Sequence, residues 1–301
     1  MISPLFVIRL LAGKFFIRST MRKTLLITLF VSTFLFIPRS SNAQLEIWTV
    51  GTAKTIYQGH LEVNIFRPWR YGITKTLEVS SHPLAFPIFP NAQIKKTWFD
   101  RNIAIATVHG INYPTVALNL QRKRNIEDWI PIDSVVPQLI VIKNEVIVSK
   151  MLKAATSCEA PNYYLSLKAG IQFALKFKES TLPLIQKPII YQRTCVYHDQ
   201  VLWYVGAKLD AHLTEIINYS VDLNFLSVGI GIDDWAVEHK GLLMMKLTNS
   251  LMVMGGYKLS YGTYPKGNQL KIYPLIDLSW TYKFKKAKKQ ELDLFKDKKM
   301  Y

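Results

Sequence analysis

Leu165-Ser166-Leu167-Lys168-Ala169-Gly170-Ile171-Gln172-Phe173-Ala174-Leu175-Lys176-Phe177 places an apolar or small residue at every odd position and a polar or small one at every even position. Successive strand side chains point to opposite faces, so this stretch reads as one long strand with an apolar face and a wet face. The same period recurs downstream, at about 188–197, 201–214, 217–228, 235–247, 251–261 and 271–284. Turn chemistry separates these runs: His198-Asp199-Gln200, Gly229 through Asp234, Thr248-Asn249-Ser250, and Gly262 through Gln269, which holds Tyr264-Pro265-Lys266-Gly267-Asn268.

Upstream the alternation is rougher. Tyr57–Phe66, Tyr71–Val79, Ala92–Phe99, Ile103–Tyr113 and the β-branched run 139–152 each read as a strand. The proline-rich stretch Pro83 to Pro90 and the longer one from Pro114 to Pro137 read as connections, the second with Val116, Leu118 and Leu120 spaced as in part of a strand. The sum is an all-β chain of about twelve antiparallel strands, with 10 to 14 defensible.

Alternation alone fits a soluble barrel with its apolar face inward equally well. Three features favour a transmembrane barrel. The downstream strands reach the ~9–11 residues needed to cross a bilayer, beyond the ~5–6 usual in soluble sheets. Aromatics collect near strand ends on the apolar parity (Phe177, Trp203, Trp235, Tyr261, Trp280, Tyr282, Phe284), where a membrane–water interface suits them. The opposite parity is strongly polar, including Lys168, Gln172, Lys208, Asp210, Ser220, Asp222, Glu238, Lys258 and Asp277. No apolar run approaches the ~18 residues of a spanning helix.

A targeting segment is expected over residues 1–43. Met21-Arg22-Lys23 is a basic start, and Met21 is an alternative to Met1 as initiator. Leu25 to Ile37 has the length of a signal core, and Ser41-Asn42-Ala43 supplies small residues for cleavage. Loss of its six basic residues (Arg9, Lys14, Arg18, Arg22, Lys23, Arg39) takes the formal charge of +17 to +11. Residues 44–284 would be the barrel, and 285–301 a periplasmic tail with seven lysines, either a solvated extension or a contact for an anionic surface. Export disfavours nucleic acid as a partner. The expected partners are the outer-membrane lipid bilayer and periplasmic or other envelope proteins.

Leu275-Ile276-Asp277-Leu278-Ser279-Trp280-Thr281-Tyr282-Lys283-Phe284 alternates and closes on an aromatic. It resembles the terminal strand of bacterial outer-membrane β-barrel proteins, a resemblance that covers roughly residues 53–284. It departs from that pattern in one respect: 17 residues follow the aromatic. The resemblance implies a bacterial outer-membrane location, an even strand count suits both termini on the periplasmic side, and no cofactor is expected. In that frame 262–270, 229–234, 198–200 and 153–162 face outward, while 248–250, 215–216, 178–187, 114–138 and 81–91 face the periplasm.

The candidate lumen-lining residues are Lys208, Asp210, His212, Ser220, Asp222, Asn224, Glu238, Lys240 and Lys258. A turn at Thr214-Glu215-Ile216 would set Lys208 opposite Asp222 and Asp210 opposite Ser220. Such a lining either orders polar solutes along a pore or fills a narrow lumen with salt bridges. Leu242, Met244, Met252 and Met254 interrupt it with an apolar patch, suited to a hydrophobic solute or to packing against an inserted segment. Cys158 and Cys195 fall on one outer rim in this arrangement and are candidates for a disulfide or two reduced thiols. His212 near Ser220 and a carboxylate does not amount to a hydrolase, and no metal-ligand, phosphate-loop or dinucleotide motif occurs. The sequence therefore points away from enzymatic activity. It suits a passive porin-like channel or a structural envelope barrel. The alternatives are a non-catalytic component of an envelope assembly or secretion complex, or a transporter of hydrophobic solutes.

Overall fold

A computed structural model describes residues 49–124, 130–153, 163–182, 196–214, 216–231, 234–248, 250–264 and 267–284. Twelve strands form a closed barrel in which every strand is antiparallel to its neighbours in sequence, and the last pairs with the first. They are β1 (His60–Asn64), β2 (Trp69–Gly72), β3 (Leu77–Ser81), β4 (Asn91–Asp100), β5 (Ile103–Asn112), β6 (Leu139–Lys153), β7 (Tyr163–Lys176), β8 (Val201–His212), β9 (Ile217–Val228), β10 (Asp234–Lys246), β11 (Leu251–Tyr264) and β12 (Gly267–Lys283). Helix α1 (Thr115–Arg124) lies between β5 and β6, and the short α2 (Val196–Asp199) between β7 and β8.

The apolar parity faces out. On β12, Ile276 is 72% exposed, whereas its inward neighbours Asp277 and Ser279 are 7% and 1% exposed. Leu270, Ile272, Leu278, Trp280 and Tyr282 continue the exposed row. A soluble barrel would reverse this distribution, so the greasy exterior is a lipid face. Near one end of the barrel, outward aromatics touch around four strands: Trp203–Phe225, Phe225–Trp235 and Trp235–Tyr261, with ring centroids 5.6, 6.5 and 5.8 Å apart. At the other end Tyr71, Tyr282 and Phe284 group likewise, at 5.9 and 5.1 Å. Two aromatic girdles bracket the apolar band, as amphipathic rings prefer at membrane interfaces.

The count of twelve is reached by a different route from the one expected. The strand expected at 188–197 lies outside the described residues except for Val196 and Tyr197, which are helical, and it takes no place between β7 and β8, which pair directly from Tyr163↔Ala211 to Phe173↔Val201. Conversely, Tyr71–Val79 is two strands. Ile73 and Thr74 both donate to the Leu77 carbonyl, closing a hairpin. Ile73-Thr74-Lys75-Thr76 lacks glycine, proline and asparagine, and its even length carries the alternation through unbroken. Val116, Leu118 and Leu120 lie on α1 and not on a strand.

These two changes reverse part of the sidedness. The chain enters β1 and leaves β12 at one end, with 73–76, 101–102 and 213–216. The longer connections 82–90, 113–138 and 177–200 leave the opposite end. So the connections expected at 81–91, 114–138 and 178–187 leave the end away from the start of β1 and the finish of β12, and the one expected at 153–162 leaves the same end as these. Cys158 and Cys195 lie outside the described residues. Their connections leave opposite ends of β7.

Candidate functional site

The interior is lined by charge. Lys208, Asp210, His212, Ser220, Asp222, Asn224, Glu238, Lys240 and Lys258 all occupy inward positions of β8 to β11, where Asp277, Ser279 and their neighbours lie on β12. The register sets Lys208 opposite Asp222 and Asp210 opposite Ser220. The ion pairs nonetheless form along different lines. Lys208 bonds both carboxylate oxygens of Asp210, two residues on, at 2.6 Å. Asp222 instead takes Lys168 from β7, two strands away, at 2.8 Å to each oxygen, with Lys240 at 3.6 Å on its other side.

That long reach passes over Gly206 of β8, which lies between Lys168 and Asn224 in register. A β-carbon at 206 would lie 2.8 Å from Lys168 Cε and would also collide with the Asn224 amide. Glycine there leaves room for a salt bridge across three strands. Asn224 donates to Asp222 at 3.0 Å, and Lys258 pairs with Glu238 at 3.0 Å. His212 bonds Asn218, its cross-strand neighbour, while Ser220 stands opposite Asp210.

A second network, unread in the sequence, joins the short strands. Arg70 of β2 donates to both oxygens of Glu78 on β3 at 2.7 Å and to Glu62 on β1 at 3.1 Å. Arg67, in the turn before β2, donates to Asp277 of β12 at 2.7 Å, to Asn64 at 2.7 Å and to Glu62 at 3.3 Å. Asp277 also accepts the backbone N–H groups of Ile65 and Phe66. One connected set of charges thus runs from β12 through β1 and β2 to β3. On the facing wall, Glu145 of β6 takes Lys143 at 3.1 Å and the Tyr204 hydroxyl.

The chain before β1 runs inside the barrel. Thr52 and Ala53 have no exposed surface. Lys95 of β4 donates to the carbonyls of Thr49 at 2.9 Å and Lys54 at 2.6 Å, and Lys208 donates to that of Val50 at 2.7 Å. Thr97 donates to the Ala53 carbonyl at 2.6 Å, and the Ala53 N–H donates to Ser149 at 2.9 Å. Arg70 reaches the Thr49 hydroxyl, and Glu78 accepts the Ile56 N–H. Partners therefore come from β2, β3, β4, β6 and β8, across the lumen. Ala53 packs with Ala104, Ala106, Val108 and Ile147. The sequence held one sign of this. Ile103-Ala104-Ile105-Ala106-Thr107-Val108 is apolar on both parities, as a strand covered on both faces requires.

The opposite end is filled by apolar side chains. Leu118 of α1, Ile130, Leu182, Val196 and Tyr197 form one buried cluster with inward residues of β6 to β10, among them Leu139, Leu202 and Leu226. Met244 and Met254, opposite each other on β10 and β11, are fully buried near the end where the N-terminal segment lies.

No family model matches the sequence, and no curated protein does. Solved structures similar to it include OmpT (in-vitro folded), an outer membrane protein of Vibrio cholerae. The identity is 9% and the TM-score 0.36, over 73% of this chain and 64% of that one, so this chain matches less than two thirds of its length. The polar-in, apolar-out distribution carries the assignment by itself. The chain is a β-barrel of the outer-membrane type.

Proposed function

We propose that this protein is a non-catalytic bacterial outer-membrane barrel kept shut at rest by its own N-terminal segment. It is an occluded envelope barrel, not an always-open porin. One observation carries this reading: residues 49–56 cross the lumen on hydrogen bonds from five strands. A water-filled pore would wet the inward charges, yet Lys208, Asp222, Glu238 and Arg70 are all buried. The charge ladders act here as filling that neutralises itself, since a buried carboxylate or ammonium is tolerable only when paired and hydrogen-bonded.

Orientation follows from connection length. Short turns in outer-membrane barrels face the periplasm and longer loops face outward. The end holding 73–76, 101–102 and the chain termini is then periplasmic, and the N-terminal segment enters from that side. An export leader over 1–43 is consistent with this orientation, in which the chain leaves β12 on the periplasmic side.

Planar-bilayer recording on the purified full chain tests the reading. The expected result is no steady conductance. Ala53 and Ser149 are in direct contact, so an A53C/S149C pair, made with Cys158 and Cys195 replaced by serine, locks the segment when oxidised. Oxidation should leave the trace unchanged. A steady, ion-permeable open state in the unmodified protein would refute the proposal.

A further inference from the structure

The barrel wall is not equally tall all round. β1, β2 and β3 have 5, 4 and 5 residues, against 17 in β12. At about 3.4 Å per residue, a five-residue strand covers about 17 Å before any tilt. The apolar band of such barrels is about 25 Å tall. The lipid face of β1–β3 is therefore too short, and it falls short beside the connection 82–90.

That connection has the wrong composition for a water-exposed loop. Pro83-Leu84-Ala85-Phe86-Pro87-Ile88-Phe89-Pro90 contains no charged residue. Leu84, Phe86 and Ile88 are exposed, as are Ile65 and Phe66 in the adjoining turn. The two turns are tied by a hydrogen bond from the His82 ring to the Phe66 carbonyl at 2.9 Å.

Its backbone N–H groups are also mostly accounted for. Ala85 donates to His82, Phe86 to Pro83, and both Ile88 and Phe89 to Ala85. Three of the eight residues are prolines, which have no N–H to satisfy. Leu84 is the one further backbone donor. Carbonyls are engaged as well: Asn91 donates its side-chain amide to Phe89, and Tyr113 its backbone N–H to Pro90. Irregular backbone avoids hydrocarbon because its polar groups go unpaired there. This segment has removed that cost for every N–H but that of Leu84 and for the carbonyls of Pro83, Ala85, Phe89 and Pro90.

We propose that residues 83–90, with Ile65 and Phe66, are a membrane-embedded part of the wall, whose exposed side chains contact the acyl chains of the outer leaflet. The patch continues the lipid belt upward where the strands stop short, which selects lipid as its occupant. The inference rests on the outer-membrane reading above.

Spin labels test it on the full-length barrel in phospholipid bilayers. Cys158 and Cys195 are replaced by serine, and single cysteines are placed at Leu84, Phe86 or Ile88. Ile276→Cys in the β12 belt and Asp133→Cys on the 113–138 connection serve as references, and heat-modifiable migration verifies folding of each variant. Collision with oxygen reports hydrocarbon, and collision with a water-soluble nickel chelate reports water. Labels at 84, 86 and 88 should show the high oxygen-to-nickel ratio of position 276, several-fold above that of 133. A ratio like that of 133, with 276 still oxygen-rich, overturns the inference alone. Protection from both agents shows a covering protein or second copy and also overturns it. Nickel access at 276 itself would refute the outer-membrane reading.

Discussion

The two walls of this barrel are held together by different forces. β10 and β11 pair continuously from Ala236↔Gly262 to Lys246↔Met252, and β11 and β12 from Leu251↔Trp280 to Tyr264↔Gly267. β1 and β2 are in register at Leu61↔Tyr71 and Glu62↔Arg70 among the described residues. A backbone ladder distributes its stability over many bonds, so no single side chain decides the long wall. On the short wall that ladder is brief, and buried Arg70, Glu62, Glu78 and Asp277, with half-buried Arg67, take over as multiply bonded cross-links. Such pairs stabilise little relative to a well-packed apolar alternative, but breaking one leaves an uncompensated buried charge.

Replacing Arg70 by methionine is the sharpest way to break the comparison. It removes the shared partner of two buried carboxylates, leaving Glu62 with Arg67 at 3.3 Å and Glu78 with Lys95 at 3.4 Å, and should cost about 3 kcal/mol, the low end for breaking a buried pair. Urea unfolding followed by heat-modifiable migration measures it. The matched change on the long wall, Lys258→Met, removes the partner of one buried carboxylate, Glu238, where Arg70 serves two, and should cost less. Equal losses at the two positions would mean that the walls are not held differently.

Lipid exposure provides the next contrast. Ile276 lies well inside the long β12, whereas Ile73 lies in the turn at the edge of the short wall. Lysine at 276 should cost about 2–4 kcal/mol and lysine at 73 about 0–1 kcal/mol, following the depth dependence of charges on a lipid face. The measurement is folding free energy into phospholipid bilayers. A third, smaller effect belongs to the interior of the long wall. Gly206→Ala pushes a methyl group against Lys168, Asn224 and the Leu223 carbonyl and should cost about 1–3 kcal/mol by overpacking.

The long wall was more legible in the sequence than the short wall, where β1 fell within the strand expected at Tyr57–Phe66 but β2 and β3 were read as one, for a physical reason. A strand exposed to lipid on one side and to a polar interior on the other must alternate, so β7 to β12 announced their faces and the Lys208–Asp222 register. Salt-bridge choice followed side-chain length and available space instead. Lys168 reaches past Gly206 because a glycine vacates the path, and a strand-by-strand pattern does not encode that. The period of the short strands was visible, but the hairpin at 73–76 has no turn residue to mark it, so β2 and β3 read as a single run. The strand expected at 188–197 and the missed hairpin offset each other, so the total of twelve did not reveal either. The N-terminal segment left its trace on its neighbour: Ala104 and Ala106 are small and apolar where an inward strand face would ordinarily be polar.

The smallest expected effect separates the two kinds of holding force most finely. Thr97→Val removes the hydroxyl that donates to the Ala53 carbonyl while nearly preserving volume. The loss should be about 1 kcal/mol, the net worth of one hydrogen bond. It falls on the N-terminal segment and not on the β3–β4 or β4–β5 ladders, which keep their backbone pairs. Urea unfolding of the barrel should therefore barely move. Trypsin cleavage after Lys54, which requires the segment to leave the lumen, should accelerate several-fold. Ser260→Ala, a hydroxyl removal on β11 beside Glu238, is the control and should leave cleavage at Lys54 unchanged. If both variants changed cleavage alike, the segment would be opening with the barrel as a whole, and the short wall would have no motion of its own to gate.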